Sequence, residues 1–365
     1  MSASRELKPA RGVARKKKWR KWILVALFVL LNVVVIAVAG ISEFGNSENA
    51  TELAKVRVNG WWLVPAVVCF LAAVAMDIYK YVLMMKRMSN RENLKERNFW
   101  KVARRTVLLG RYYDNVTPAA VGGQPFQIYH MRKHSGLSSG ASTSIPIFGM
   151  ISIQVAFIII ALICFIFGGV AHENPVLMVT AWVGLLFYAF WPVMVAGTFL
   201  FPKAVTKFIK WVVKVLARIH IVKNREETLA KIEGEVTEYA ESVKMILKSR
   251  GLFARVMSIS LAYNFLVAAI PFFVLTAFGG DVRFWSCFAT TVAVMSAVYF
   301  IPTPGNSGAA EGTFFVVFSA LSTGYIFWAM LVWRFFSYYV YIIIGLITYA
   351  VMHFERKSDR MGGYV

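Results

Sequence analysis

The sequence predicts an all-α, polytopic helical membrane protein of about eight spans with two Pro/Gly-broken, re-entrant-type segments, and three observations predict it. Of 365 residues, 58% are apolar and 16% charged, and the mean hydropathy of +0.59 exceeds what filling a soluble core requires. Apolar runs recur that are long enough, at about 18 residues or more, to cross a hydrocarbon core of roughly 30 Å as helices. The charge is lopsided, with 40 Lys plus Arg against 19 Asp plus Glu and a net charge of +21. In a soluble protein that balance would point to nucleic acid. Here the basic residues crowd into the segments between apolar runs, where they set topology instead.

The first run, Trp22 to Ile41, follows a basic tail over residues 1–21. It is longer than the roughly 7 to 15 apolar residues of a secretory signal, so it reads as a retained anchor. Further runs lie at Trp61 to Leu83, Ala141 to Gly169, Val176 to Phe201, Leu252 to Gly279 and Phe284 to Ile301. A last apolar block, Phe314 to Met352, is divided at Gly324. The membrane domain is thus expected over 22–354, with a short tail over 355–365. Residues 1–21 hold nine Lys and Arg, residues 85–140 eleven, residues 202–251 eleven and residues 353–365 three. The intervening loops hold only Lys55, Arg57 and Arg283. With 34 of the 40 basic side chains in alternate segments, both termini are expected in the cytoplasm of a multi-pass cell-membrane protein. An even number of crossings follows, reached if Ser307 to Thr323 crosses once and Tyr325 to Met352 crosses back.

Within 202–251, Lys203, Lys207, Lys210, Lys214 and Arg218 recur at helical spacing with Trp211, Val212 and Val215 between them. Such a helix can lie on an anionic inner leaflet. Its partner, Glu226 to Lys248, carries the stripe Leu229, Ile232, Val236, Val243 and Ile246. A cytoplasmic helical hairpin is expected, smaller than an ordinary catalytic domain.

Two segments break the helical pattern. The first runs from Asp114 to Gln127 and holds Pro118, Pro125 and the pair Gly122-Gly123; the second runs from Ile301 to Gly312 and holds Pro302, Pro304, Gly305 and Gly308. Irregular backbone at membrane depth is tolerated only where protein buries it or a polar cavity solvates it, and paired interruptions mark substrate sites in transporter-like folds. The candidate substrate-binding residues are therefore Asn115, Pro118, Gly122, Gly123, Gln124 and Gln127 on one wall. Pro304, Gly305, Asn306, Gly308, Glu311 and Arg334 form the other. Tight turns between spans are the alternative reading of both segments.

Other chemistry finds little support. Cys69, Cys164 and Cys287 are far apart inside apolar runs, so no disulfide framework or zinc site is read from them. The histidines at 130, 134, 172, 220 and 353 are scattered, and Arg132 and Lys133 would oppose a cation beside the first two. No metal, cofactor, P-loop or hydrolase elbow is expected. Asp77 and Lys80, three apart, read as a pair that snorkels to the interface, and Arg255 is near enough to a span end to do the same.

The spacing Asn115-x-x-Pro118-x-x-x-Gly122-Gly123-Gln124-Pro125-x-Gln127-x-Tyr129, followed by Arg132 and Gly136, resembles the first signature of the lysylphosphatidylglycerol synthase transmembrane region family. Pro302-x-Pro304-Gly305-x-x-Gly308-x-x-Glu311 resembles the second, and Arg334 with Gly345 resembles its last helix. That family includes the membrane half of the multiple peptide resistance factor, so the resemblance implies outward flipping of an aminoacylated, lysyl-phosphatidylglycerol-like phospholipid and a link to antimicrobial peptide resistance. The chain ends at Val365, so the resemblance implies the flippase half without the soluble synthase half. Many members carry Asp and Arg where this chain has Gln124 and Gln127, which leaves a neutral or sugar-bearing lipid open as cargo. The alternative is a phosphatidylglycerol lysyltransferase or glycolipid synthase component acting with lysyl-tRNA or a separately encoded transferase. The expected partners are a membrane phospholipid and the anionic inner leaflet, with no direct nucleic-acid contact.

The charge count makes a topology prediction. Single cysteines at positions 47, 174 and 280 should react with an impermeant thiol reagent from outside intact cells. One at position 224 should not, and its labelling would reverse the assignment.

Overall fold

The computed structural model describes residues 57–89, 98–120, 122–167, 174–200, 243–321 and 325–362, with positions 34, 41, 211 and 241. Beyond those single positions, the anchor at Trp22 to Ile41 and residues 202–240 of the expected hairpin lie outside the described residues. The described residues form helices and short turns with no strand. They comprise α1 (Leu63–Met88), α2 (Phe99–Val116), α3 (Gly123–His134), α4 (Ser139–Phe167) and α5 (Pro175–Leu200). There follow α6 (Arg250–Ala277), α7 (Phe284–Val298), α8 (Ala309–Leu321), α9 (Ile326–Arg334) and α10 (Val340–Gly362), the last two joined through a π-helical turn at Phe335–Tyr339.

Among the described residues, five helical stretches are long and apolar enough to cross a membrane: Gly60–Met88, Ser139–Phe167, Pro175–Met194, Arg250–Ala277 and Ile326–Glu355. Their outward faces carry large apolar side chains such as Leu71, Phe167, Leu186 and Ile347, as a lipid-facing surface requires. Their inward faces build one core cluster through Phe157, Phe165, Val274, Phe288, Phe314 and Phe318. A second cluster joins Met84, Met85, Phe99, Met131, Val243 and Ile246, and it takes in the last two members of the apolar stripe predicted for the hairpin.

The connections sort onto two ends. At one, Asn59 N donates to the Ala277 carbonyl at 2.8 Å and Tyr325 N to the Phe278 carbonyl at 3.1 Å. Trp62 and Phe284 both meet the Phe272 ring edge-on at the same end. At the other, Glu355 accepts from Arg105 at 2.6 Å and lies 3.3 Å from Lys101.

Two helical pairs do not cross. Helix α2 starts at the Glu355 end and climbs along α1 and α10, and α3 returns beside it to Met131 in the second cluster. The segment around 99–134, expected as a cytoplasmic loop, is therefore a hairpin inserted in the bundle, because Ala103, Thr106, Val107, Leu109 and Gly110 form a buried face. Helices α7 and α8 start and finish at the Asn59 end and, at 15 and 13 residues, are only about 22 and 20 Å long. Phe284 to Ile301 and Ser307 to Thr323, counted from sequence as two crossings, form a second inserted hairpin.

Two close approaches seat these hairpins. A Cβ on Gly345 of α10 would fall 2.4 Å from that of Tyr112, and one on Gly184 of α5 would fall 1.9 Å from the Ser296 carbonyl oxygen of α7. The second obstacle is backbone and cannot move aside. Gly184→Val is expected to lower the unfolding midpoint of the purified chain, at about 1 to 3 kcal/mol or more for overpacking. The lipid-facing neighbour Val183→Leu should leave it unchanged, and equal midpoints for the two would deny the close packing of α5 on α7.

Candidate functional site

The two inserted hairpins meet tip to tip. The turn of 3₁₀ helix at Pro118–Ala120 touches the one at Pro304–Asn306, so the two broken segments, almost two hundred residues apart, share one place. Asn115 Oδ1 lies 3.3 Å from where a Cβ on Gly305 would stand, and the Tyr338 ring lies 2.1 Å from it. Gly305 adopts φ +58°, so both the conformation and the space there demand glycine.

Glu311 and Arg334 organise the second segment. Arg334 Nε donates to Glu311 Oε1 at 2.7 Å, and its Nη2 lies 3.2 Å from both the Gly305 carbonyl and Ser307 Oγ. The other carboxylate oxygen, Oε2, accepts from Gly308 N at 2.8 Å, capping the start of α8. Both side chains are nearly fully buried, and the Arg334 guanidinium lies 4.7 Å from the Tyr338 ring centroid. The Asn306 side-chain amide donates to the Val298 carbonyl, closing the loop onto α7. Arg334 is thereby committed to the protein's own backbone and carboxylate.

The first segment is more helical than its composition suggests. Helix α3 begins at Gly123 and includes Gln124, Pro125 and Gln127, because a proline in the first turn lacks only an N–H that would be unpaired there anyway. The room left by the glycine pair is filled by the chain itself. Gly122 N donates to Thr117 Oγ1 at 2.9 Å, Gly123 N to Asp114 Oδ1 at 3.0 Å, and Asn115 Nδ2 to the Arg111 carbonyl at 2.9 Å. Gln127 is buried against Gly110 and accepts from the Tyr81 hydroxyl at 3.0 Å. It is therefore separated from the wall that Asn115 and Gly305 form, while Gln124 remains half-buried.

Beneath this wall lies a charge cluster. Asp77 lies 2.9 Å from Lys80 Nζ and accepts from Arg111 Nη2 at 2.9 Å, and Lys80 also donates to the Gly149 carbonyl at 3.1 Å. Asp77 and Lys80 are 4% and 1% exposed, so they do not snorkel. They face inward because α2 brings Arg111 against them, and a buried charge is held by partners rather than by water. Arg111, 26% exposed, also lies 5.1 Å from the Tyr263 ring centroid of α6. Arg111 and Asp114 are the residues that the reading of the sequence passed over. Their signal is a charged pair at the end of the otherwise apolar stretch Val107 to Gly110, directly before the Pro/Gly motif. Arg255 is exposed, as expected.

The model of the lysylphosphatidylglycerol synthase TM region matches residues 22–345. The chain belongs to that family. It is also 25% identical over 223 residues to a UPF0104 membrane protein of Methanothermobacter thermautotrophicus, covering 58% of this chain and 63% of that relative, less than two thirds of the relative's length. The family match spans the inserted hairpins, the charge cluster and the Glu311–Arg334 pair alike, and makes the chain a multi-pass membrane protein of this lipid-associated family.

The buried pair can be tested by a double-mutant cycle in mixed-micelle unfolding. Glu311→Ala and Arg334→Ala should each destabilise by about 3 to 5 kcal/mol, since each leaves the other charge uncompensated. The double variant should lose clearly less than their sum, and additive losses would mean that the two side chains do not interact.

Proposed function

We propose that this chain is a membrane lipid flippase that moves an aminoacylated or otherwise modified phospholipid, of the lysyl-phosphatidylglycerol kind, between leaflets. The observation that carries the reading is the meeting of two hairpin tips inside an apolar bundle. Discontinuous helices entering from opposite ends are the arrangement by which transporters hold a polar group at mid-depth. There the headgroup sits while its acyl chains stay in lipid. Arg111, Asn115 and Gln124, all half-exposed, face the headgroup in this reading, with the donors of Arg111 not given to Asp77 available to a phosphate. Pro118, Gly122, Gly123, Pro304, Gly305, Asn306 and Gly308 shape the walls, and Glu311 and Arg334 hold the second wall in place. The basic segments face the cytoplasm in this reading, both termini among them, and they concentrate anionic lipid at the loading side.

A second reading, a synthase component that takes lysine from lysyl-tRNA or works with a separate transferase, is favoured by the family's own description as a synthase region. Reconstitution separates the two. The purified chain in liposomes should translocate a headgroup-labelled lysyl-phosphatidylglycerol with neither tRNA nor transferase present. Arg111→Gln should slow that movement roughly tenfold or more, the worth of one hydrogen bond to a charged group, while Asp77 keeps Lys80 and the fold survives. Aminoacyl transfer from charged tRNA without translocation would replace the flippase reading by the synthase one.

A further inference from the structure

A groove of about 560 Å³ opens on the outer surface of the bundle between α1 and α2, away from the hairpin tips. Ala75, Met76, Ile78 and Tyr79 of α1 form its wall, and Asn98, Trp100, Lys101 and Arg104 form its rim. The wall lies 12 to 16 residues into α1, some 18 to 24 Å from the helix start at about 1.5 Å per residue. That places it in the half of the bundle nearer the Glu355 end. Trp100 and Tyr79 are 52% and 44% exposed and stack on each other with centroids 6.1 Å apart. An aromatic pair of this kind belongs at the boundary between acyl chains and headgroups.

The charge at the rim is only partly spent inside the protein. Asn98 Oδ1 caps the start of α2 by accepting from Lys101 N at 2.9 Å, so the helix end needs no ligand. Glu355 takes Arg105 at 2.6 Å and part of Lys101 at 3.3 Å. Arg104 is exposed and has no ion-pair partner among the described residues. Asp77, the one acidic residue between the wall positions, points the other way into Lys80 and Arg111. The groove thus presents an apolar floor, an aromatic clamp and an unneutralised guanidinium, with no carboxylate facing into it from α1 or α2.

We infer that this groove holds one anionic phospholipid, with an acyl chain along Ala75 to Tyr79 and the phosphate between Arg104 and Lys101. A zwitterionic lipid would fill the same floor but gain less at the rim, because its ammonium opposes the two cations. The site goes beyond the translocation reading and stands without it, since it requires only equilibrium binding from the bilayer.

The test uses the full chain purified into nanodiscs of phosphatidylcholine containing a small fraction of phosphatidylglycerol, with bound lipid counted by native mass spectrometry. The wild type should retain phosphatidylglycerol in excess of its share of the disc. Arg104→Gln should cut that enrichment about fivefold, the usual effect of one basic residue near a membrane phosphate, and Arg104→Lys should restore most of it. Arg283→Gln, which removes an exposed cation at the opposite end, should change nothing. Ala75→Trp, a lipid-facing substitution that fills the floor, should remove one bound lipid of either kind. Unchanged enrichment in Arg104→Gln, or an equal fall in Arg283→Gln, would overturn the site. Translocation activity enters none of these readings, so they stand or fall apart from the flippase proposal.

Discussion

The Glu311–Arg334 ion pair is the interaction on which the rest of this structure depends. It joins α8 of one inserted hairpin to α9, the start of the last spanning helix, and its spare hydrogen bonds reach the Gly305 carbonyl, Ser307 Oγ and Gly308 N. A loop with two prolines and two left-handed glycines has no helical ladder to satisfy its backbone, and in hydrocarbon each unsatisfied group costs several kcal/mol. The arginine and the carboxylate supply those partners from side chains. The loop can therefore stop halfway through the bundle and turn back, with its tip held in one position.

Once that tip is placed, the other hairpin has something to meet. Asn115 approaches Gly305, and Tyr112 approaches Gly345 two turns beyond the Tyr338 ring that covers Gly305. Helix α2 brings Arg111 with it, and Asp77 and Lys80 turn inward to receive the guanidinium. The result is two buried charge clusters around one meeting point, each neutralised mainly from within. The polar groups left half-exposed around it include Arg111, Asp114, Asn115, Gln124 and Asn306, and a headgroup in the proposed translocation route would meet these first.

Much of the candidate site was legible because prolines and glycines are costly inside helices and therefore conspicuous among apolar runs. Their spacing located both broken segments, and Glu311 and Arg334 stood among the candidates beside the second of them. The direction of each interaction was harder to read. Gly122 and Gly123 stand against Thr117 and Asp114 of the chain's own preceding turn, and Gln127 accepts from Tyr81. A one-dimensional pattern records that backbone comes close to something, without recording what it comes close to.

By itself the sequence determined the class of the molecule and the five described helices long and apolar enough to cross, because hydropathy acts locally: each span must match the bilayer. Only the tertiary structure decided that α2–α3 and α7–α8 enter and return instead of lying outside or crossing. A buried stripe on α2 and two half-length helices, α7 and α8, can satisfy more than one arrangement until neighbours claim them. The same holds for Asp77 and Lys80. At three residues' spacing they suit either a wet interface or a dry core, and the choice fell to Arg111, a residue 34 positions away in sequence that only the fold could bring to them.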